Sequence, residues 1–153
     1  MKLFYVLLLV LMINPTVRTH HLFGSDNSFD VKKYIIHLEL DDRYNTIKAK
    51  TELIIDLSEN PDKIILDFAS GPEIRGLIIE SVLQNGQNTE YLHRDNELQI
   101  TVNQSDNNYD RFEITYHGEF YQGIRISDNI HGDRTFFTNN SLQNSHKWFP
   151  CID

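Results

Sequence analysis

Seven histidines (His20, His21, His37, His93, His117, His131 and His146), one cysteine (Cys151) and 22 Asp and Glu residues are the groups that could act as nucleophiles, acid–base groups or metal ligands. Their spacing builds no self-contained catalytic motif. No histidine belongs to a His-Glu-x-x-His pair, which would set two imidazoles on one helix face for zinc. One thiol cannot make a thiolate zinc site. Neither a Gly-x-Ser-x-Gly elbow nor a glycine-rich phosphate loop occurs. His37 and His117 alternate with apolar residues, which makes them solvent-facing strand positions. Asp41-Asp42 is turn chemistry rather than a catalytic carboxylate pair. Asp133-Arg134 is either an ion pair that pins a loop or simply exposed. Cleavage after Thr19 would leave His20 with a free α-amine beside two imidazoles, a copper-binding arrangement that depends on that cut.

The elements around these groups read as strands. In Asp30–Leu40, Tyr34, Ile36, Leu38 and Leu40 share one face, with Ile35, His37 and Glu39 on the other. In Ile47–Leu57 the alternation is sharper still, and its length of 11 residues predicts a long hairpin with the first strand across the turn cluster Asp41–Thr46. Ile64–Phe68 is short and apolar enough to be covered on both faces. Ile74–Gln84 runs into Asn85-Gly86, a strong hairpin signal. "TEYLHR" and "ELQITV" are short strands split by Asp95-Asn96. Arg111–Phe120 alternates Phe112, Ile114 and Tyr116 with Glu113, Thr115 and His117. Beyond Phe120 the pattern fades into a loop-rich stretch with one more strand, Thr135–Phe137. No stretch of 12 residues carries a helical apolar stripe. Short strands between turn signals predict an all-β fold, an antiparallel β-sandwich or a pair of curved sheets.

Length and charge bound the rest. The 153 residues suffice for one domain. Lys2 precedes an unbroken apolar run, Leu3–Ile13, of 11 residues, ended by Asn14-Pro15. A bilayer-spanning helix needs roughly 20 apolar residues. A secretory leader over residues 1–19 fits better, and an uncleaved anchor through residues 3–13 is the alternative. Residues 20–29 are then a short lead into a domain over 30–153, in an exported protein, secreted or periplasmic. Removing residues 1–19 takes away Lys2 and Arg18 and no acid, leaving 12 basic against 22 acidic residues, a net charge of −10. That argues against nucleic acid and against an anionic membrane surface. A single cysteine allows no internal disulfide, so the domain needs an ordinary core. Asn103-Gln104-Ser105 and Asn139-Asn140-Ser141 match the glycan-acceptor pattern.

A collinear set of segments resembles the N-terminal β-domain of the M1 family of zinc aminopeptidases. "DVKKYIIHLELD" resembles that family's first strand, "TIKAKTELII" its second and "IILDFA" the short Leu-Asp strand that follows. "ELQITV" and "FEITYHGE" resemble two later strands. "GDRTFFTNN" and "HKWFPCID" resemble the approach to the family's Trp-Phe-Pro-Cys-x-Asp motif. Order and spacing agree from Asp30 to Asp153, and the ending is the specific part.

The resemblance implies a saddle-shaped β-domain beside a thermolysin-like catalytic domain. That domain would carry Gly-x-Met-Glu-Asn for the substrate's amine, and His-Glu-x-x-His with a distant Glu for zinc. None of these is in this sequence, so the resemblance implies a chain truncated before its catalytic partner. It gives this chain no catalytic residue, no metal ligand and no cofactor of its own. It also implies that Asn139 and Ser141, counted back from Pro150, contact the N-terminal end of a peptide substrate. Asn139 keeps the side-chain amide that relatives use there, and Ser141 does not. Cys151, between Pro150 and Ile152, reads as a small buried hydrophobe. Trp148 and Phe149 read as core or interface anchors, with part of their apolar surface expected to be open to water without the other domain. A free-standing exported β-sandwich that binds a protein or a glycan is the alternative function.

Overall fold

The computed structural model describes residues 5–12 (backbone path only), 28–41, 44, 46–70, 77–119, 123–138 and 144–152. Eleven strands appear among them: β1 (Tyr5–Met12), β2 (Asp30–Leu40), β3 (Thr46–Asp56), β4 (Lys63–Asp67), β5 (Ile78–Gln84), β6 (Gln87–Asn88), β7 (Tyr91–Arg94), β8 (Glu97–Thr101), β9 (Tyr109–Glu119), β10 (Ile124–Asp128) and β11 (Arg134–Thr138). The one helical element described is a 3₁₀ turn at Ser145–Lys147. Every strand pairing is antiparallel.

Three sheets result. The large one has the order β1-β2-β3-β9-β5-β6, the second β4-β8-β7, and the third is the ribbon β10-β11. The β3–β9 ladder is unbroken from Thr46↔Glu119 to Asp56↔Tyr109. The ladders on either side of it slip once each, between Val31 and Lys33 in β2 and between Ile79 and Ser81 in β5. A bulge adds twist and bends its strand, so irregularities flanking a regular centre curve this sheet.

Alternation puts the core between the two larger sheets. Ile36 and Leu38 of β2, Leu53 and Ile55 of β3, and Phe112, Ile114 and Tyr116 of β9 are buried. They face Ile64 and Leu66 of β4 and Leu98 and Ile100 of β8, which are fully covered. Two tight turns set the register of the shorter strands. Asn85 and Gly86 have φ of 51° and 80°, and Asp95 and Asn96 have φ of 55° and 63°. Paired left-handed residues match the twist of a two-residue hairpin, and Asn, Asp and Gly tolerate that conformation best.

Two features differ from the sequence-based expectations. The stretch after Phe120 contains a further strand, β10, paired from Ile124↔Thr138 to Asp128↔Arg134. Its only apolar residues are Ile124 and Ile126, too few to register as a strand, and its one partner is β11. Trp148 and Phe149 do not leave apolar surface open to water: they are 1% and 5% exposed and belong to the chain's own core. Cys151, a free thiol, is buried beside them.

The closing segment is held by both sheets. Cys151 and Asp67 exchange backbone hydrogen bonds of 3.0 and 2.7 Å, which adds one antiparallel bridge to the free edge of β4. The Ile152 N–H donates to the Tyr34 hydroxyl at 3.2 Å, which reaches back to β2. The rings of Trp148 and Phe149 meet edge-to-face at 4.5 Å, and Tyr34 and Phe149 at 6.1 Å. Gly123, with φ of 86°, lies under Trp148, and a Cβ there would stand 2.5 Å from Trp148 Cδ1 and 3.0 Å from the Asn144 carbonyl oxygen.

Trp148→Ala is expected to cost about 3–5 kcal/mol through the cavity it leaves. Gly123→Ala is expected to cost at least about 2 kcal/mol, from the left-handed backbone and the forced contact together. Urea midpoints measure both, and a Gly123→Ala protein as stable as the parent would mean that Trp148 does not seat there.

Candidate functional site

Asn139 and Ser141 lie outside the described residues, but the structure fixes what brackets them. Thr138, the last residue of β11, pairs with Ile124 of β10. The Asn144 carbonyl comes close over Gly123, the residue before β10, and accepts from the Lys147 N–H at 3.3 Å. Both ends of the segment 139–143 are therefore anchored at the base of the β10–β11 ribbon. The anchors are well held: Ile124 is buried, and the His146 carbonyl accepts from the Ala69 N–H at 2.9 Å.

The ribbon leaves two apolar residues uncovered, one at its tip and one next to its base. Ile130 at its tip is 95% exposed and Phe137 is 47% exposed. Asn129 builds the turn that presents Ile130. Its Oδ1 accepts from the N–H groups of His131 (2.8 Å) and Asp133 (3.0 Å), and Gly132 follows with φ of 83°. Asp133 thus serves this turn. Gly123, Ile130 and Phe137 were not singled out from sequence, because an exposed apolar residue and a glycine under a ring are visible only in three dimensions.

Among the described residues, the histidines do not converge. His37 Nε2 lies 3.1 Å from Glu52 Oε1 on the outer face of the large sheet. His117 Nδ1 lies 2.6 Å from Glu80 Oε1; the pair is in electrostatic contact, although Nδ1 has no aligned hydrogen-bond partner. Both imidazoles are 40% exposed, so their solvent-facing assignment holds only in part. His93 stacks on Phe68 with ring centroids 5.0 Å apart. His20 and His21 lie outside the described residues, as does Asp42. Among the described residues, no group of three or more His, Cys, Asp or Glu could hold a metal ion.

The strongest electrostatic feature is structural. On the outer face, Glu52 of β3 is only 8% exposed and is ringed by cations, with Lys50 Nζ at 2.6 Å and an Arg111 guanidinium nitrogen at 2.8 Å. Both cations also reach Glu113, at 3.4 Å each. Burial works to raise the Glu52 carboxyl, but the Lys50 hydrogen bond and the charges of Lys50, Arg111 and His37 outweigh it and hold the group below the usual glutamate range. The hydrogen bond to Glu52 in turn raises Lys50. An open groove of about 370 Å³ runs alongside, lined by His37, Glu39, Lys48, Lys50 and Glu80 among others. Its charges are of mixed sign, and no single ligand chemistry follows from them.

Two packed antiparallel sheets, a two-stranded ribbon and a closing Trp-Phe-Pro-Cys segment make up the domain. It has the fold of the N-terminal β-domain of M1 zinc metallopeptidases. Native leukotriene A4 hydrolase from yeast superposes with a TM-score of 0.61 at 16% identity, over 76% of this chain and 19% of that one. The M1 zinc metallopeptidase of Deinococcus radiodurans gives 0.54 at 15% identity, over 71% of this chain and 25% of that one. The chain thus spans a fifth to a quarter of the length of these proteins. No family model matches the chain, and no curated protein matches it in sequence.

Because the folded state lowers the pKa of Glu52, its contribution is present above the unfolded value of 4.5 and is lost as pH falls through the lower folded value. Glu52→Gln is expected to cost about 1–3 kcal/mol at neutral pH. The gap between the two proteins should close as pH drops below 4.5, and thermal melts across that range check it.

Proposed function

We propose that this chain is the non-catalytic N-terminal domain of an exported M1-type zinc aminopeptidase, whose activity is the hydrolysis of N-terminal residues from peptides. The observation that carries this reading is the match of fold to an M1 zinc metallopeptidase over 71% of the chain, with the closing segment seated as a structural element. In the complete enzyme, zinc would activate water in a catalytic domain outside these residues. The described side chains offer no ligand set for the metal, so no catalytic step is assigned to them. Asn139 and Ser141 would stand at the substrate's amine end, on a segment whose two anchors share one ribbon base. Export rests on Lys2 and the apolar run Leu3–Ile13. No helix among the described residues is long and apolar enough to cross a membrane.

A second reading has one observation in its favour. A free-standing exported β-sandwich that binds a protein or a glycan would cover its own Trp148 and Phe149, and both are covered here.

The purified chain with added zinc is expected to show no aminoacyl-anilide turnover above background; turnover that tracks the chain through purification would overturn the assignment. The coding DNA past the Asp153 codon separates the two readings. An open frame running into Gly-x-Met-Glu-Asn and His-Glu-x-x-His is expected for the peptidase domain, and a stop codon with no such frame nearby for the free-standing module.

A further inference from the structure

We propose that, once residues 1–19 are removed, two copies of this chain join through the edges of β2, antiparallel about Ile36. The proposal rests on the reading of residues 1–19 as a leader. In the full chain that edge is occupied: β1 pairs with β2 from Tyr5↔Leu40 to Met12↔Lys33. The edge therefore accepts an antiparallel strand along most of its length. When β1 leaves with the leader, β2 becomes the outer strand of the large sheet. A long edge strand with unpaired N–H and C=O groups is a template for another strand. The one irregularity of β2, between Val31 and Lys33, lies at its beginning and leaves Lys33–Leu40 regular.

Charge selects a second copy as the occupant. Most polar side chains of β2 are already engaged within the domain. Lys32 lies 2.7 Å from Asp30 and 3.2 Å from Asp56, and His37 lies against Glu52. Lys33 and Glu39 have no hydrogen-bond or ion-pair partner among the described residues. They are of opposite sign and symmetric about Ile36. Antiparallel pairing of β2 with itself about Ile36 sets each Lys33 opposite Glu39 of the other copy, so the join gains two counter-ion pairs by symmetry. It sets Tyr34 opposite Leu38, two residues that face the core. Residues opposite each other share a sheet face, so both cores lie on the same side of one continuous sheet. A shift of two residues one way leaves Glu39 opposite Val31 and Lys33 opposite His37; the other way leaves Glu39 opposite Ile35 and Lys33 opposite Asp41, past the end of β2, so only the register about Ile36 matches both charges within the strand.

The test uses the whole chain secreted through its own leader, followed by intact mass and by light scattering across a dilution series. The expected product has the mass of the cut chain and is a dimer. Lys33→Glu or Glu39→Lys alone should raise the dimer dissociation constant about tenfold, by setting like charges opposite each other. The double charge swap should restore it. Both sites are on the surface, so near-parental melting temperatures will show that the variants fold. A cut product that stays monomeric overturns the dimer and leaves the leader reading intact. So does a dimer that ignores the charge swaps. A product with the mass of the full chain overturns the leader reading, and the proposal with it.

Discussion

The domain depends on keeping water out of the apolar layer between its two larger sheets. Strand alternation supplies the two walls, but a sandwich of separate sheets has open sides. Residues 148–152 close one of them. They do so with three kinds of contact: a backbone bridge to β4, a hydrogen bond to Tyr34 on β2, and the packing of Trp148 and Phe149. Each alone is modest, since a hydrogen bond contributes about 1 kcal/mol net. Together they tie the last described residues to both walls at once. The ribbon is tied in too, because Gly123 must lie under the indole for Trp148 to seat.

Polar groups are arranged to permit this closure. Asp110 and Gln84 are buried at 1% and 3% exposure. Gln84 donates to Asp110 and to the Asn103 carbonyl and accepts from the Asn103 N–H, while Ser105 donates to Asp110. The network pins the loop between β8 and β9 against the end of β5, where a buried unpaired amide or carboxylate would cost several kcal/mol, on the order of 2–5. Thr51 and Tyr116 hydroxyls meet at 3.2 Å inside the core in the same way. Burial pushes the Tyr116 phenol well above its usual range, so it stays neutral and serves as a packed ring with one hydrogen bond. On the outer face, Glu52 replaces its lost water with two cations from neighbouring positions.

How much of this could be read from sequence depended on whether the determining contact was local. The strands β2, β3 and β9 were legible because alternation is local and long. The turns at Asn85-Gly86 and Asp95-Asn96 were legible because left-handed backbone has its own chemistry. The strand β10 was not, because its identity comes from pairing with β11 rather than from its own pattern. Glu52 reads as an exposed charge on an alternating strand, and its burial comes from Arg111, which lies far along the chain on the neighbouring strand. Trp148 was ambiguous for the same reason. An apolar run before a proline can be covered by its own domain or by another, and only the positions of Gly123, Tyr34 and Phe149 decide. The collinear motif order did point to the right fold. Asn139 and Ser141 were placed by counting back from that motif, and they lie outside the described residues.

The self-contained closure also changes where a neighbouring domain would dock. If residues 148–152 had been left partly open, that segment itself would have been the natural surface for a catalytic partner. Its burial removes it from contention. The ribbon keeps two apolar residues uncovered, Ile130 at its tip and Phe137 on its side, while Ile78 and Leu92 are exposed elsewhere on the domain. The ribbon's base carries both anchors of the 139–143 segment. A domain packed against the ribbon would therefore lie beside that segment without having to complete the core. The sandwich and its closing segment hold the ribbon in place, and Ile130 and Phe137 on it stay exposed.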